Sequence, residues 1–128
     1  LEAFRRNRDY YSAINVAYIY KILGNYNGWH LASYIFNTWS CDTGKEWWLD
    51  STLAETQLIL GEFGILYKRM ERAVLQHKPD FFKRHATRDQ ISAYMDILRK
   101  RGLKIQKEQE EHLEKTLDLL QDPSSVVR

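Results

Sequence analysis

The sequence contains few of the residues that interrupt or cross-link a chain. It has 1 Cys, 2 Pro and 6 Gly among 128 residues. The single thiol, Cys41, excludes an internal disulfide bond and predicts a reducing, intracellular location. The shortage of glycine and proline removes most of the turn chemistry that a β-sandwich requires. These shortages argue against an all-β fold.

Long hydrophobic runs are missing as well. The most apolar stretch, residues 13–23, contains Asn15 and Lys21. It is also shorter than the roughly 20 residues that a membrane-spanning helix needs. No basic region followed by an apolar core and a cleavage site is visible, as a signal peptide would show. We therefore expect a soluble protein with no membrane partner.

Aromatic residues, in contrast, are abundant, with 4 Trp, 8 Tyr and 5 Phe. Each of these side chains buries a large area, so the chain can build a sizeable core. Hydrophobic residues make up 44% and charged residues 28%, which is typical of a globular protein. The length predicts one domain over residues 1–121, followed by a frayed tail over residues 122–128.

Charge is distributed unevenly along the chain. The net charge is +2, but residues 1–64 carry −2, residues 65–107 carry +8 and residues 108–128 carry −4. We call residues 65–107 the basic segment and residues 108–121 the acidic C-terminal helix. A basic segment between acidic flanks indicates an anionic partner or an internal electrostatic contact.

Hydrophobic spacing predicts a mainly α fold of five or six helices. Residues 2–23 form the first helix, and its apolar residues on nearly all sides place it centrally. Residues 29–39 repeat apolar side chains at three- and four-residue steps, which predicts an amphipathic second helix. We expect these two helices to form the core.

Two capping boxes predict where later helices begin. Residues 52–55 open a short helix that runs to residue 60, and residues 87–90 open another. Between them, residues 65–77 form a helix that Pro79 ends. Gly102 has two interpretations: it caps a helix before a short strand over residues 103–106, or it is a weak point in one helix continuing to Leu120.

The order of these elements resembles a winged helix-turn-helix domain. An apolar helical lead precedes a short aromatic strand, Trp47-Trp48-Leu49, a helix from Thr52, and helices ending in Leu-Arg-Lys-Arg-Gly-Leu-Lys-Ile over residues 98–105. The resemblance covers residues 29–106 and implies a minimal β element and a role of the kind found in replication initiators and transcription regulators. The stretch over residues 53–102 is longer than the usual pair of helices, and no returning wing strand follows Gln106.

Enzyme and metal motifs are absent from the sequence. It has no glycine-rich phosphate loop, no Gly-x-Ser-x-Gly and no His-Glu-x-x-His. Glu108, Glu111 and His112 lie on neighbouring turns, but the second copy that a carboxylate-bridged metal site needs is missing. We expect no catalysis, no metal, no cofactor and no small-molecule substrate.

The basic segment carries the leading functional hypothesis, a non-enzymatic nucleic-acid-binding domain that contacts DNA or RNA. Clustered Lys and Arg neutralise phosphates and release counterions. The candidate contact residues are Lys68, Arg69, Arg72, Lys83, Arg84, Arg88, Arg99, Lys100, Arg101 and Lys104. The helix dipole alone also favours basic residues at a helix C-terminus, and the basic segment has an acidic helix of its own to meet.

The tryptophans and the C-terminal leucines support an alternative, a structural or adaptor subunit that contacts other proteins. Trp29 and Trp39 share a stripe with apolar neighbours, which predicts that both lie in the core. Trp47 and Trp48 are adjacent on the predicted strand, point to opposite faces, and are the candidate partner-binding residues. The acidic C-terminal helix carries an apolar stripe that packs on the core of this chain or on a partner, formed by Leu113, Leu117 and Leu120.

Overall fold

The computed structural model of the chain describes residues 10–121, in which six α-helices follow one another with no strand. The helices are α1 (Tyr10–Ile22), α2 (Asn27–Trp39), α3 (Trp47–Ile59), α4 (Phe63–His77), α5 (Phe81–Lys100) and α6 (Lys107–Leu119), with a 3₁₀ turn over Ser40–Asp42. The prediction of a mainly α fold with five or six helices is confirmed for this range. The predicted helix over residues 2–9 and the predicted tail over residues 122–128 lie outside the described residues.

The central helix is α3, which packs against α1, α2 and α4. Every residue of α3 except Trp48 is buried, including the polar side chains of Asp50, Thr52 and Glu55. The prediction that the first two helices form the centre was wrong in this respect, although both contribute buried residues. A helix surrounded on all sides carries no polar face that would reveal its position in the sequence.

The N-terminus of α3 differs from the prediction. The residues interpreted as a strand, Trp47 to Leu49, form its first turn, and Glu46 is the extended residue before it. Thr52 and Glu55 lie in the middle of the helix, so the predicted capping box does not form. The carboxyl group of Glu55 accepts a hydrogen bond of 2.7 Å from the hydroxyl of Tyr18 on α1 instead.

A close approach of backbones joins α1 to α2. Gly28 is buried at the start of α2, where a Cβ atom would lie 2.7 Å from the amide nitrogen of Lys21 and 2.9 Å from the carbonyl oxygen of Ala17. Only glycine fits between these atoms without moving a helix. Gly24 ends α1 in the left-handed region, at φ 73°, so the chain reverses within four residues.

The helix α4 follows the predicted pattern, with Leu66, Met70, Ala73 and Val74 buried. It ends at Lys78, whose backbone is left-handed at φ 46°, immediately before Pro79.

The helix α5 begins six residues earlier than predicted, at Phe81. Asp80 caps it, because its carboxylate accepts a hydrogen bond of 3.0 Å from the amide of Lys83. Thr87 is buried in mid-helix and caps nothing. Gly102 follows the end of α5 at φ 95°, so the interpretation as a helix cap is confirmed, and the continuous helix to Leu120 was wrong.

Both segments predicted as strands lack strand structure, because residues 47–49 are helical and residues 103–106 are irregular. The described residues therefore contain no wing.

Two long-range contacts complete the fold. Tyr94 of α5 packs on Tyr18 of α1 with ring centroids 4.7 Å apart, so α5 returns to the first helix. The helix α6 packs mainly on α4 and buries Leu113 and Leu120 in the same core that the other helices share. Of the two predicted locations for the C-terminal leucines, the core of this chain is the one observed.

Candidate nucleic-acid interface

The predicted contact residues fall into three groups, and the first lies on α4. Lys68 and Arg72 are exposed to solvent, whereas Arg69 is half-buried with its guanidinium 4.5 Å from the ring centre of Phe36. Burial lowers the pKa of Arg69, the nearby positive charge of Arg72 lowers it further, and Asp50 opposes the shift. Arg69 thus joins α4 to α2, and two cations of this group remain accessible.

Asp50 and His77 form a buried contact beside this first group. His77 Nε2 lies 2.6 Å from Asp50 Oδ2, and the amide of Gly44 donates to both oxygens of Asp50 at 2.9 and 3.0 Å. Gln76 donates to the carbonyl of Gly44 at 2.8 Å, so α4 holds both sides of this turn.

The adjoining cavity, lined by Thr43, Asp50, Arg69, Arg72 and Ala73, measures only about 20 Å³. A single water needs about 10–15 Å³, so this space cannot admit an organic substrate. We assign the Asp50–His77 contact a structural role.

The second group, on the first half of α5, is partly occupied by contacts within the protein. Lys83, Arg84 and Arg88 are all half-buried. The guanidinium of Arg84 donates to the carbonyl of Pro79 at 3.0 Å and to that of Leu119 at 2.7 Å. Arg84 therefore ties α5 to the end of α6.

The third group, at the C-terminal end of α5, is the most exposed one. Arg99, Lys100, Arg101 and Lys104 are all exposed. Arg99 forms an ion pair with Glu110 of α6, which is the contact between basic and acidic segments that the charge pattern predicted. Lys100 and Lys104 extend into solvent beside this pair, and we call residues 99–104 the basic end of α5.

Arg101 connects the basic end of α5 to a different part of the molecule. Its guanidinium donates to the carbonyl of Ile22, the last residue of α1. Two residues further on, at Gly24, begins an open groove between the end of α1 and the start of α2.

The groove has a volume of about 450 Å³ and is mainly apolar. It is lined by Lys21, Gly24, Asn25, Tyr26, Trp29 and His30. Tyr26 is 84% exposed and Trp29 is 47% exposed, so two aromatic surfaces face solvent. Trp29 packs against the ring of His30 with centroids 5.5 Å apart and the two planes nearly perpendicular.

Hydrogen bonds fix the backbone of the groove. The amide of Asn25 donates to the carbonyl of Tyr20 at 2.8 Å, closing the end of α1. The side chain of Asn25 then accepts from the amide of Asn27 at 2.8 Å, which starts α2. The aromatic residues therefore extend from a defined turn.

The tryptophan predictions divide in two. Trp39 is 3% exposed and lies in the core as predicted, but Trp29 does not. Residues in a helix advance by about 100° each, so Trp29 and Trp39 point about 80° apart and Trp29 lies at the edge of the apolar stripe. That angle was the available signal for the groove, and the prediction of a core position for Trp29 overlooked it.

Of the predicted partner-binding pair, Trp47 is 3% exposed and inaccessible to a partner. The strand prediction failed there, because the first turn of α3 is directed into the core. Trp48 is half-buried against Tyr11, with ring centroids 5.5 Å apart, and its role in partner binding stays a prediction.

Several other observations bear on the candidate sites. Within residues 10–121, no group of three or more His, Cys, Asp or Glu side chains is arranged to hold a metal ion. None of the helices described is long and apolar enough to cross a membrane. The chain matches no protein-family model, no curated protein and no solved structure at a significant level.

Proposed function

We propose that the protein is a non-enzymatic nucleic-acid-binding domain, and that the basic end of α5 together with the groove forms its main contact surface. The observation that carries this proposal is the contact of Arg101 with the carbonyl of Ile22. It joins a cluster of exposed cations to a groove with two exposed aromatic residues. Phosphate neutralisation and aromatic stacking are the two interactions that nucleic acids offer without base-specific readout.

Exposed lysines outside the three groups allow a charge-matched test. Lys100→Ala with Lys104→Ala removes two positive charges from the basic end of α5. Lys45→Ala with Lys115→Ala removes two from other exposed positions. Fluorescence anisotropy with labelled oligonucleotides, measured over a range of salt concentrations, gives the affinity and its salt dependence.

We expect the Lys100/Lys104 variant to bind more weakly and to lower the slope of log K against log salt. The slope changes by about 0.7–0.9 for each phosphate that the protein no longer neutralises. The Lys45/Lys115 variant retains the slope of the unmodified protein. Equal effects of both variants, or no detectable binding of any oligonucleotide at low salt, would contradict the proposal.

A helix-turn-helix contact with duplex DNA is the duplex form of this proposal. The helices α4 and α5 are joined by three residues, which is the length of the turn in such motifs. In that arrangement α5 is the recognition helix, and Lys83 and Arg88 near its N-terminus face the major groove. A duplex that binds more tightly than a single strand, with the loss of affinity concentrated at Lys83 and Arg88, supports this form.

Contact with other proteins is the second candidate function, and one surface favours it. Leu75, Phe81 and Phe82 are 70%, 52% and 73% exposed around the junction of α4 and α5. Large exposed apolar side chains that are close together often mark protein interfaces. Sedimentation of the protein and of Phe82→Glu over a range of concentrations tests self-association. Association that Phe82→Glu abolishes supports contact between copies, whereas a monomer at every concentration argues against it.

A further inference from the structure

We infer that the groove lined by Lys21, Gly24, Asn25, Tyr26, Trp29 and His30 binds the unpaired bases of a single-stranded nucleic acid. The inference rests on the proposed function and makes it more specific. In this arrangement the bases stack on Trp29 and Tyr26, and the phosphates of the same strand lie toward the basic end of α5. The ligand class is single-stranded RNA or DNA, recognised through base faces and backbone charge.

The dimensions of the groove fit this ligand. Its volume of about 450 Å³ lies within the range of about 300–1,000 Å³ in which proteins hold small aromatic ligands. The groove is open to solvent along its length, so a polymer can enter without a free end. The bases of a duplex are stacked on each other and their faces are hidden, whereas single strands present them to aromatic side chains.

The exposure of the two aromatic rings has no structural explanation in the described residues. Trp39 on the same helix is buried, but Trp29 is 47% exposed and Tyr26 is 84% exposed. Apolar rings in this arrangement provide faces on which bases stack, and stacking tolerates any sequence because every base has such a face.

Charge around the groove decides between a nucleic acid and an uncharged apolar ligand. Lys21 lines the groove itself, and Arg101 reaches the end of α1 beside it. Lys100 and Lys104 are exposed on the same end of α5. A chain that carries one negative charge per unit and one flat ring per unit matches this combination of cations and aromatic faces.

Four probes distinguish the possible ligands. The first two are oligothymidylate and oligouridylate of about 12 nucleotides, a length within the usual site sizes of single-strand-binding proteins. The third is an abasic oligonucleotide of the same length, which keeps the phosphates and lacks the bases. The fourth is a duplex of that length. Each is titrated into the full chain by fluorescence anisotropy at low salt.

The variants separate stacking from phosphate contact. Trp29→Ala and Tyr26→Ala each remove one ring, Trp29→Phe restores an aromatic face, and Phe82→Ala is the control because Phe82 is equally accessible outside the groove. Since Trp29 and Tyr26 are exposed, thermal melting of their variants matches the unmodified protein. Melting therefore shows that any loss of affinity does not come from unfolding.

We expect Trp29→Ala and Tyr26→Ala each to weaken binding of both single strands about 5- to 100-fold, the effect of losing one stacked base. Trp29→Phe recovers much of the loss, Phe82→Ala changes nothing, and the abasic strand binds weakly and equally to all these variants. Binding of only one of the two single strands retains the inference and identifies the sugar that the site accepts.

The inference and the proposed function fail in different ways. If Trp29→Ala and Tyr26→Ala bind single strands normally while Lys100→Ala with Lys104→Ala binds them weakly, nucleic-acid binding stands and the groove is not its base site. If the abasic strand or the duplex binds as tightly as the oligothymidylate, the stacking inference is overturned. If no probe binds, both are overturned.

Discussion

Tyr18 and Glu55 meet in the core, where the phenol donates to the carboxyl group across 2.7 Å, and neither side chain reaches solvent. Burial raises the pKa of Glu55 to about 8, and the hydrogen bond from Tyr18 reduces this rise. At neutral pH the folded protein therefore holds Glu55 mainly in its protonated form. An unprotonated carboxylate at this place would lack the solvation that water gives it.

Glu55 makes the stability of the protein depend on pH. In the unfolded chain the carboxyl group ionises near its ordinary pKa of 4.5, whereas in the folded protein it ionises near 8. The folded state thus binds the extra proton between these values, so the contribution of Glu55 falls as pH rises through that interval. The steepest loss is about 1.4 kcal/mol per pH unit. Urea unfolding across the interval measures it.

Two variants isolate this contribution from those of other titrating groups. Glu55→Gln keeps the shape and cannot ionise, so its stability exceeds that of the unmodified protein increasingly as pH rises from 4.5 to 8. Tyr18→Phe removes the hydrogen bond that lowers the pKa and extends the dependence to higher pH. A constant stability difference between Glu55→Gln and the unmodified protein over the interval would contradict a raised pKa.

Gly28→Ala is expected to destabilise the protein by about 1–3 kcal/mol, the usual effect of overpacking. The added methyl group would meet backbone atoms of α1 rather than the flexible end of a side chain, so one of the two helices must move. Thermal or urea unfolding measures the loss. Ser33→Ala, at a half-buried position further along the same helix, is the control, and an equal effect of the two substitutions would argue against a special role for Gly28.

Asp50→Ala is expected to cost about 1–3 kcal/mol, because it leaves the amide of Gly44 and the ring nitrogen of His77 without their partner. The exposed ion pair of Lys45 with Asp42 provides the comparison, since such pairs contribute about 0–1 kcal/mol. Urea unfolding of Asp50→Ala and Lys45→Ala measures both. Similar values for the two variants would show that the Asp50 contact is no stronger than a surface pair.

Leu113→Ala is expected to destabilise the protein by about 2–5 kcal/mol, because Leu113 is 1% exposed in the core. Glu114→Ala, at the adjacent exposed position, is expected to have little effect. Chemical unfolding of the two variants measures the difference. If α6 instead docks on a partner and is loosely held in the isolated chain, both substitutions leave stability unchanged.

The sequence predicted α2 and α4 well, because each has one apolar face and a glycine or proline near its end. It misplaced the starts of α3 and α5 for a tertiary reason. Thr52 and Thr87 carry the pattern of a capping box, but both are buried in mid-helix. Local spacing cannot reveal that Tyr18, far away along the chain, provides the partner that Glu55 would otherwise seek in its own backbone.

The candidate interface was predictable in charge and not in position. The cations at the end of α5 were identified from their clustering, but their neighbour, the groove, depends on Arg101 reaching the end of α1. Such a contact joins residues 79 positions apart, and only the folded chain defines it. Arg84 was identified by its charge alone, whereas its two carbonyl partners make it a structural residue.

The return of α5 to α1 has a consequence for the order in which the protein folds. The pairs α1–α2 and α3–α4 are joined by short loops, so their contacts form at little cost in chain entropy. The contacts of Tyr94 with Tyr18 and of Arg101 with Ile22 close the longest loops described, and we expect them to form last. In the native state the same end of α5 is then the first segment to exchange its amide hydrogens, and a bound strand that bridges it to the groove slows that exchange.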